Sequence, residues 1–177
     1  MEHSSEFFVN ERRRRAGGAE FRELMTFFPS GVSIVTTLDL DGRPRGLTCT
    51  SLCSVSAAPP TILVCLNRAS GSFAAVRSRG AFVVNLLSAE GRTAAEVFAG
   101  PGEDRFATVP WDHTAGLHLP WLTRHAHAFI ECTVDRCIDA ATHAVVIGRV
   151  NHMELTRQTP LLYGRRRFAT WPEDGHA

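Results

Sequence analysis

The chain has 177 residues, of which 44% are hydrophobic and 21% charged, with 19 basic side chains against 18 acidic ones. That is ordinary globular usage, long enough for one proper core, and it argues against a disordered chain or one drawn by global charge to nucleic acid or anionic lipid. No apolar run approaches the roughly 20 residues of a membrane helix. All 19 basic residues are arginine, which excludes Schiff-base chemistry and a phosphate-loop lysine.

Residues 1–18 are polar and end in four arginines and a glycine pair, and they read as a flexible arm before a single domain over 19–177. Ala19–Phe28 places Phe21, Leu24, Met25 and Phe28 at helical spacing, and Pro29 stops that helix. Val32–Thr37 alternates as a strand before an Asp41-Gly42 turn signal. Arg45–Val55 reads as one further strand, closed by Pro59-Pro60. Thr61–Leu66 is apolar on both faces and reads as a central strand. Ser72 can cap a short helix that Gly80 ends.

Ala81–Leu87 predicts another strand and Ser88–Ala99 another short helix. Residues 100–124 are rich in Pro, Gly, Trp and Asp and predict a long surface excursion. Ala126–Asp139 and His143–Glu154 predict two long strands joined by a tight connection, and a last strand runs over Tyr163–Thr170. This succession predicts a mainly β fold, an antiparallel barrel or sandwich with short helices.

The five cysteines form an odd set with no C-x-x-C pair, and most lie in apolar runs. They predict small buried hydrophobes in a reduced, cytoplasmic protein rather than a disulfide framework or zinc site. The N-terminus lacks the pattern of a secretory signal. His125 and His127 stand two apart on a predicted strand, but no third ligand is placed to join them. There is no G-x-G-x-x-G, Walker loop, G-x-S-x-G or H-E-x-x-H.

The hydroxyl density of Thr48–Ser56 is the most telling local feature, because an apolar strand holds such groups only if they satisfy something polar. Asn67, Ser70 and Ser72 follow at a helix start, where free amides and the helix dipole favour a phosphate. Together they are able to line a groove for a planar polar ring and a phosphate. Cross-strand hydroxyl pairing with a plain N-cap at Ser72 accounts for the same residues equally well.

Several segments occur in a characteristic order: FPSGVSIVTT from Phe28, GLTCTSLCSVS from Gly46, PPTILVCLNRAS from Pro59, FVVNLLSA from Phe82, DRFA from Asp104, THAVVIGRV from Thr142 and PLLYGRRRF from Pro160. This series resembles the flavin reductase-like family, the reductase components of two-component flavin monooxygenases. The resemblance implies a split β-barrel of antiparallel Greek-key strands, of the FMN-binding type, working as a homodimer. It also implies that NADH or NADPH reduces FAD or FMN, and that the reduced flavin passes to a separate monooxygenase. A flavin-binding barrel without turnover is the alternative.

Carried onto this sequence, the resemblance puts Thr48, Cys49, Thr50 and Ser51 against the isoalloxazine and ribityl chain. It puts Leu66, Asn67, Ser70, Ser72 and Phe73 along the rest of the flavin, and His143 beside the nicotinamide. Cys49, Leu52, Thr142 and Arg149 depart from the commonest family pattern, and the last two leave NADH and NADPH both open. Hydride transfer between stacked rings needs orientation rather than a protein nucleophile, which suits a sequence without an evident acid–base pair.

Overall fold

The computed structural model describes residues 17–102 and 104–171. Most of the predicted arm, residues 1–16, lies outside the described residues. Gly17 and Gly18 do not belong to an arm: Gly17 is the N-cap of helix α1 (Gly18–Thr26) and Gly18 its first residue. The helix buries none of its residues, and Phe21, Leu24 and Phe28 beyond its end are each more than half exposed.

After the short strand β1 (Ser30–Gly31), β2 (Ser33–Leu38) and β3 (Pro44–Cys49) form a hairpin. The single strand expected over Arg45–Val55 is two strands. β3 stops at Cys49, and β4 (Leu52–Ala57) starts after Thr50 and Ser51. β5 (Pro60–Asn67), β6 (Ala81–Leu87), β9 (Ala126–Ala140) and β10 (His143–Leu155) complete an antiparallel seven-stranded sheet of order β3-β2-β6-β9-β10-β5-β4. β3 and β4 are consecutive in the chain yet occupy opposite edges of the sheet. Two residues carry the chain from one edge to the other, so the sheet curls into a split barrel. The amide of Cys65 donates to the Ser51 carbonyl at 3.2 Å and holds that crossing shut.

Alternation along each strand decides what fills the barrel. Val35, Val64, Leu66, Phe82, Cys132 and Val146 point inward and are almost entirely buried. Helix α2 (Gly71–Arg79) adds Phe73 and Val76 to that core. Gly80 ends α2 in the left-handed region, as expected of a C-terminal glycine. On the outer face of the sheet, helix α3 (Arg92–Ala99) packs Ala94, Ala95 and Phe98 over Ile34 and Leu87. The expected helix over Ser88–Ala99 begins with a 3-10 turn at Ala89–Gly91 before α3.

The predicted excursion over 100–124 holds a 3-10 turn at Arg105–Ala107 and the small pair β7 (Asp112–His113) and β8 (Pro120–Trp121). It is tied to the sheet through Asn85, a polar residue in an otherwise apolar strand. Its amide donates to the Ile34 carbonyl at 2.9 Å, and its side-chain oxygen accepts from the Leu122 amide at 2.8 Å. Both bonds are buried, which removes the cost of a polar group at that depth.

The last expected strand is also two. β11 (Leu161–Gly164) and β12 (Arg167–Thr170) form a hairpin whose tip is Arg165-Arg166, and β11 pairs with β1. Among the described residues no helix is long and apolar enough to cross a membrane.

Candidate active site

A cavity of about 830 Å³ opens where β3 leaves the sheet. Thr48 and Thr50 lie on one of its walls, Ser70, Gly71 and Ser72 at the start of α2 on another. Ala95, Glu96 and Phe98 of α3, Arg105, Tyr163 and Phe168 also line it. Gly46, on β3 behind this wall, is required by packing: a Cβ there would stand 2.7 Å from the Phe98 ring and 3.1 Å from the Val35 carbonyl.

The period of two in β3 separates the predicted residues into two groups. Thr48 and Thr50 face the cavity, whereas the Cys49 side chain between them is 4% exposed and sits in the barrel core. Burial pushes the Cys49 thiol up, so it stays protonated. Leu66 and Phe73 are core residues in the same way, at 0% and 4% exposure. The hydrophobic interior takes the side chains of these three residues.

Ser51 is exposed at the β3–β4 crossing and donates to the Cys65 carbonyl at 3.1 Å. Asn67 makes a local turn, its side-chain oxygen accepting from the Ala69 amide at 2.9 Å. Ser70, not Ser72, caps α2: its hydroxyl accepts from the Phe73 amide at 3.1 Å. Ser72 is 6% exposed and its hydroxyl donates to the Gly46 carbonyl at 3.0 Å. Thr48 donates to the Ala95 carbonyl at 2.7 Å, which ties β3 to α3 and leaves its oxygen lone pairs as acceptors.

A helix start leaves its first amides without partners inside the helix. In α2 those of Gly71 and Ser72 are such amides, and nothing stands within 4 Å of where a Gly71 Cβ would be. Arg105 brings the positive charge. Its Nη1 and Nη2 donate to the carbonyls of Gly46 and Gly100, each at 2.7 Å, while its Nε is buried without a partner. A smaller cavity of about 220 Å³ continues past Gly71 and Ser72 to Arg45, Gly102 and Arg105.

His143 does not line the cavity. It is exposed at the start of β10, in register opposite Asn67, with its Nδ1 3.0 Å from the Thr142 hydroxyl. It therefore stands beside the loop that leads into α2. A further chamber of about 340 Å³ shares Val32 and Thr50 with the main cavity and contains His127. The His127 Nδ1 is buried without a partner, and burial pulls its pKa below the ordinary histidine value. The neighbouring His125 instead lies 3.3 Å from the Glu90 carbonyl. Among the described residues no group of three His, Cys, Asp or Glu side chains is placed to hold a metal.

Residue-by-residue reading of the sequence missed Arg105, Tyr163 and Phe168, and picked out His127 only beside His125, as a metal pair lacking a third ligand. Arg105 and the two aromatics lie within the DRFA and PLLYGRRRF segments, so the signal was present at the level of the motif. Nothing local marked the individual side chains, because their partners are remote: Arg105 and Gly46 are 59 positions apart.

The site is thus a largely apolar cleft with hydroxyls, an open helix start and a guanidinium at one side and aromatic rings at another. Such a cleft suits a ligand that is both planar and phosphorylated. A family model described as "Flavin reductase like domain" matches residues 25–172. The "Flavin reductase (NADPH)" of Lentzea aerocolonigenes is 50% identical over 157 residues, 89% of this chain and 92% of that protein. The reductase component of the 4-nitrophenol 4-monooxygenase/4-nitrocatechol 2-monooxygenase of Rhodococcus opacus is 38% identical over 150 residues, 85% of this chain and 79% of that protein. The solved NADH:FAD oxidoreductase of Streptomyces globisporus, in complex with NAD and FAD fragments, superposes with a TM-score of 0.83 at 28% identity, covering 89% of this chain and 94% of that one. With a family model spanning most of its length and relatives this similar, the chain belongs to the flavin reductase-like family.

Proposed function

We propose that this protein is an NAD(P)H-dependent flavin reductase that reduces FAD or FMN and supplies the product to a separate monooxygenase. The observation that carries the reading is the main cavity itself. Hydroxyls at Thr48 and Thr50, the free amides of Gly71 and Ser72, and the Arg105 charge all meet one space.

In this reading Thr48 and Thr50 face the ring and ribityl chain, while Ser70, Gly71 and Ser72 hold the flavin phosphate, supported by Arg105. Asn67 and Ser51 contribute through the loop and the strand crossing. Cys49, Leu66 and Phe73 act from beneath, by fixing the backbone whose neighbours face the ligand. His143 positions the nicotinamide at the rim. When bound, the flavin accepts a hydride at N5 from the reduced nicotinamide. The protein's part is to hold two rings in contact, exclude water with Val32, Phe98, Tyr163 and Phe168, and stabilise negative charge with fixed donors.

The working unit in this reading is a homodimer. The exposed Phe21, Leu24 and Phe28 present an apolar face that a second copy would cover. Five free cysteines suit a reducing compartment, the cytoplasm.

The test is oxidation of NADH and NADPH by the purified protein without flavin, with FMN, and with FAD. Turnover that depends on added flavin and saturates with it is expected. Absence of turnover while flavin is visibly bound would leave a passive flavin-binding barrel instead.

A further inference from the structure

The β11–β12 hairpin reaches the cavity with its aromatic pair and then continues beyond it. Tyr163 and Phe168 are opposite each other in register, their ring centroids 5.2 Å apart, and both line the cavity. The next pair is Gly164 and Arg167, and the tip is Arg165-Arg166. At about 3.3 Å per residue the tip stands roughly 7 Å past the rings.

Both tip residues have positive φ, 51° for Arg165 and 60° for Arg166. A two-residue hairpin turn with positive φ at both positions favours Asn-Gly or Gly-Gly, because a Cβ is strained there. The chain places its longest cations at the two positions least suited to them. Arg43, Arg45, Arg68, Arg92 and Arg149 each have a carboxylate partner. Among the described residues neither Arg165 nor Arg166 has one, which they share with other arginines such as Arg136 and Arg157. What sets this pair apart is its place, exposed at the tip of the hairpin whose rings line the cavity, with Arg165 5.8 Å over the Phe27 ring. Turn geometry does not account for two arginines here, whereas a ligand phosphate does: a guanidinium is a planar double donor matched to phosphate oxygens.

We infer that the Arg165-Arg166 tip binds a phosphate on the adenosine half of a dinucleotide whose reacting ring occupies the cavity. This rests on the flavin reductase reading and deepens it. Two substrates carry that chemistry, NADPH through its 2′-phosphate and FAD through the adenosine-side phosphate of its pyrophosphate. The hairpin is a charged element continuing past the aromatic pair that lines the cavity.

The experiment compares the native protein with Arg165→Asn/Arg166→Gly, which substitutes the residues the turn favours, and with Arg166→Gln as a second variant. Calorimetric titration with 2′,5′-ADP and with ADP reads binding without any turnover. The expected result is a loss of about 10-fold in affinity for at least one probe, the size of a lost charge-assisted hydrogen bond. The kcat/KM ratios then name the source. A fall in the NADPH-over-NADH ratio assigns the 2′-phosphate, and a fall in the FAD-over-FMN ratio assigns the pyrophosphate. Equal affinities for both probes in native and variant proteins, or no binding by the native protein, overturns the inference. A native protein that oxidises neither nicotinamide with any flavin overturns the reductase reading instead, and the titrations still decide the hairpin.

Discussion

Ser72 and Arg105 converge on one acceptor. The Ser72 hydroxyl and the Arg105 Nη1 both donate to the carbonyl of Gly46, from 3.0 and 2.7 Å. A strand, a helix start and a distant loop are thereby pinned at a single oxygen on the cavity wall. With its other branch Arg105 also satisfies the Gly100 carbonyl at 2.7 Å. Arg105→Met keeps the apolar stem but leaves the Gly100 carbonyl without its donor. Its expected cost is about 1–3 kcal/mol of stability, with a raised KM for flavin. Chemical denaturation checks the first and flavin titration the second; a native midpoint in denaturant would remove Arg105 from this structural role.

The same convergence changes which substitution tests the phosphate site. An acidic residue at Ser72 would set a carboxylate against the Gly46 carbonyl and confound binding with stability. Gly71 is the clean position, since it lines the cavity, is the first helical residue and has open space over it. Gly71→Asp is expected to weaken flavin binding at least 10-fold through like-charge repulsion. Asp in the first helical turn complements the dipole by about 0.3–1 kcal/mol, so the melting temperature should hold or rise. Flavin affinity equal to that of the native protein would move the phosphate elsewhere.

His143 is exposed and pairs in register with Asn67, ahead of the loop into α2. Substitution by Ala therefore leaves the barrel intact. The expected signature is a several-fold rise in KM for the nicotinamide with a smaller change in kcat, as for a group that binds ground and transition states alike. Steady-state kinetics at saturating flavin reads both constants. Native values for both would discharge His143 from the site.

His127 gives the fold a pH dependence. Burial holds its pKa below 6.5, so the unfolded chain binds the proton more readily than the folded one. Stability should then fall as pH drops from 6.5 toward the lower folded value, and be independent of this group above 6.5. Thermal melts between pH 5.5 and 7.5 for native protein and His127→Gln check this. The variant should show a flatter profile, and identical slopes would assign the dependence to other groups.

The expectation of buried cysteines holds for Cys49 and Cys132, while Cys65 and Cys137 are half-buried and Cys53 is exposed, because strand faces and edges are set by the sheet. Ala81–Leu87 is a strand at the predicted bounds, and the long hairpin of β9 and β10 was legible because thirteen or more residues alternate around a two-residue turn. Gly80 was legible as a helix end because a left-handed C-terminal residue is a local requirement. The break at Thr50-Ser51 was not, since polar and apolar residues continue through it at strand-like spacing. What ends β3 there is its neighbour: the chain must cross from the β2 edge to the β5 edge of the same sheet. Ser70 and Ser72 are both competent caps by type, and only the buried Gly46 carbonyl, which takes Ser72, decides between them.

By itself the amino-acid sequence determined the mainly β class, the open helix start around Ser70–Ser72 and the family, because alternation, capping chemistry and motif order are properties of neighbouring residues. The tertiary structure alone decided that Thr48 and Thr50 reach the cleft while Cys49, Leu66 and Phe73 serve the core. It alone brought Arg105 and the Tyr163–Phe168 pair to that cleft from far along the chain. The reason is physical: sheet closure assigns each face of a strand to core or cleft, and contacts made across it leave no periodicity to read.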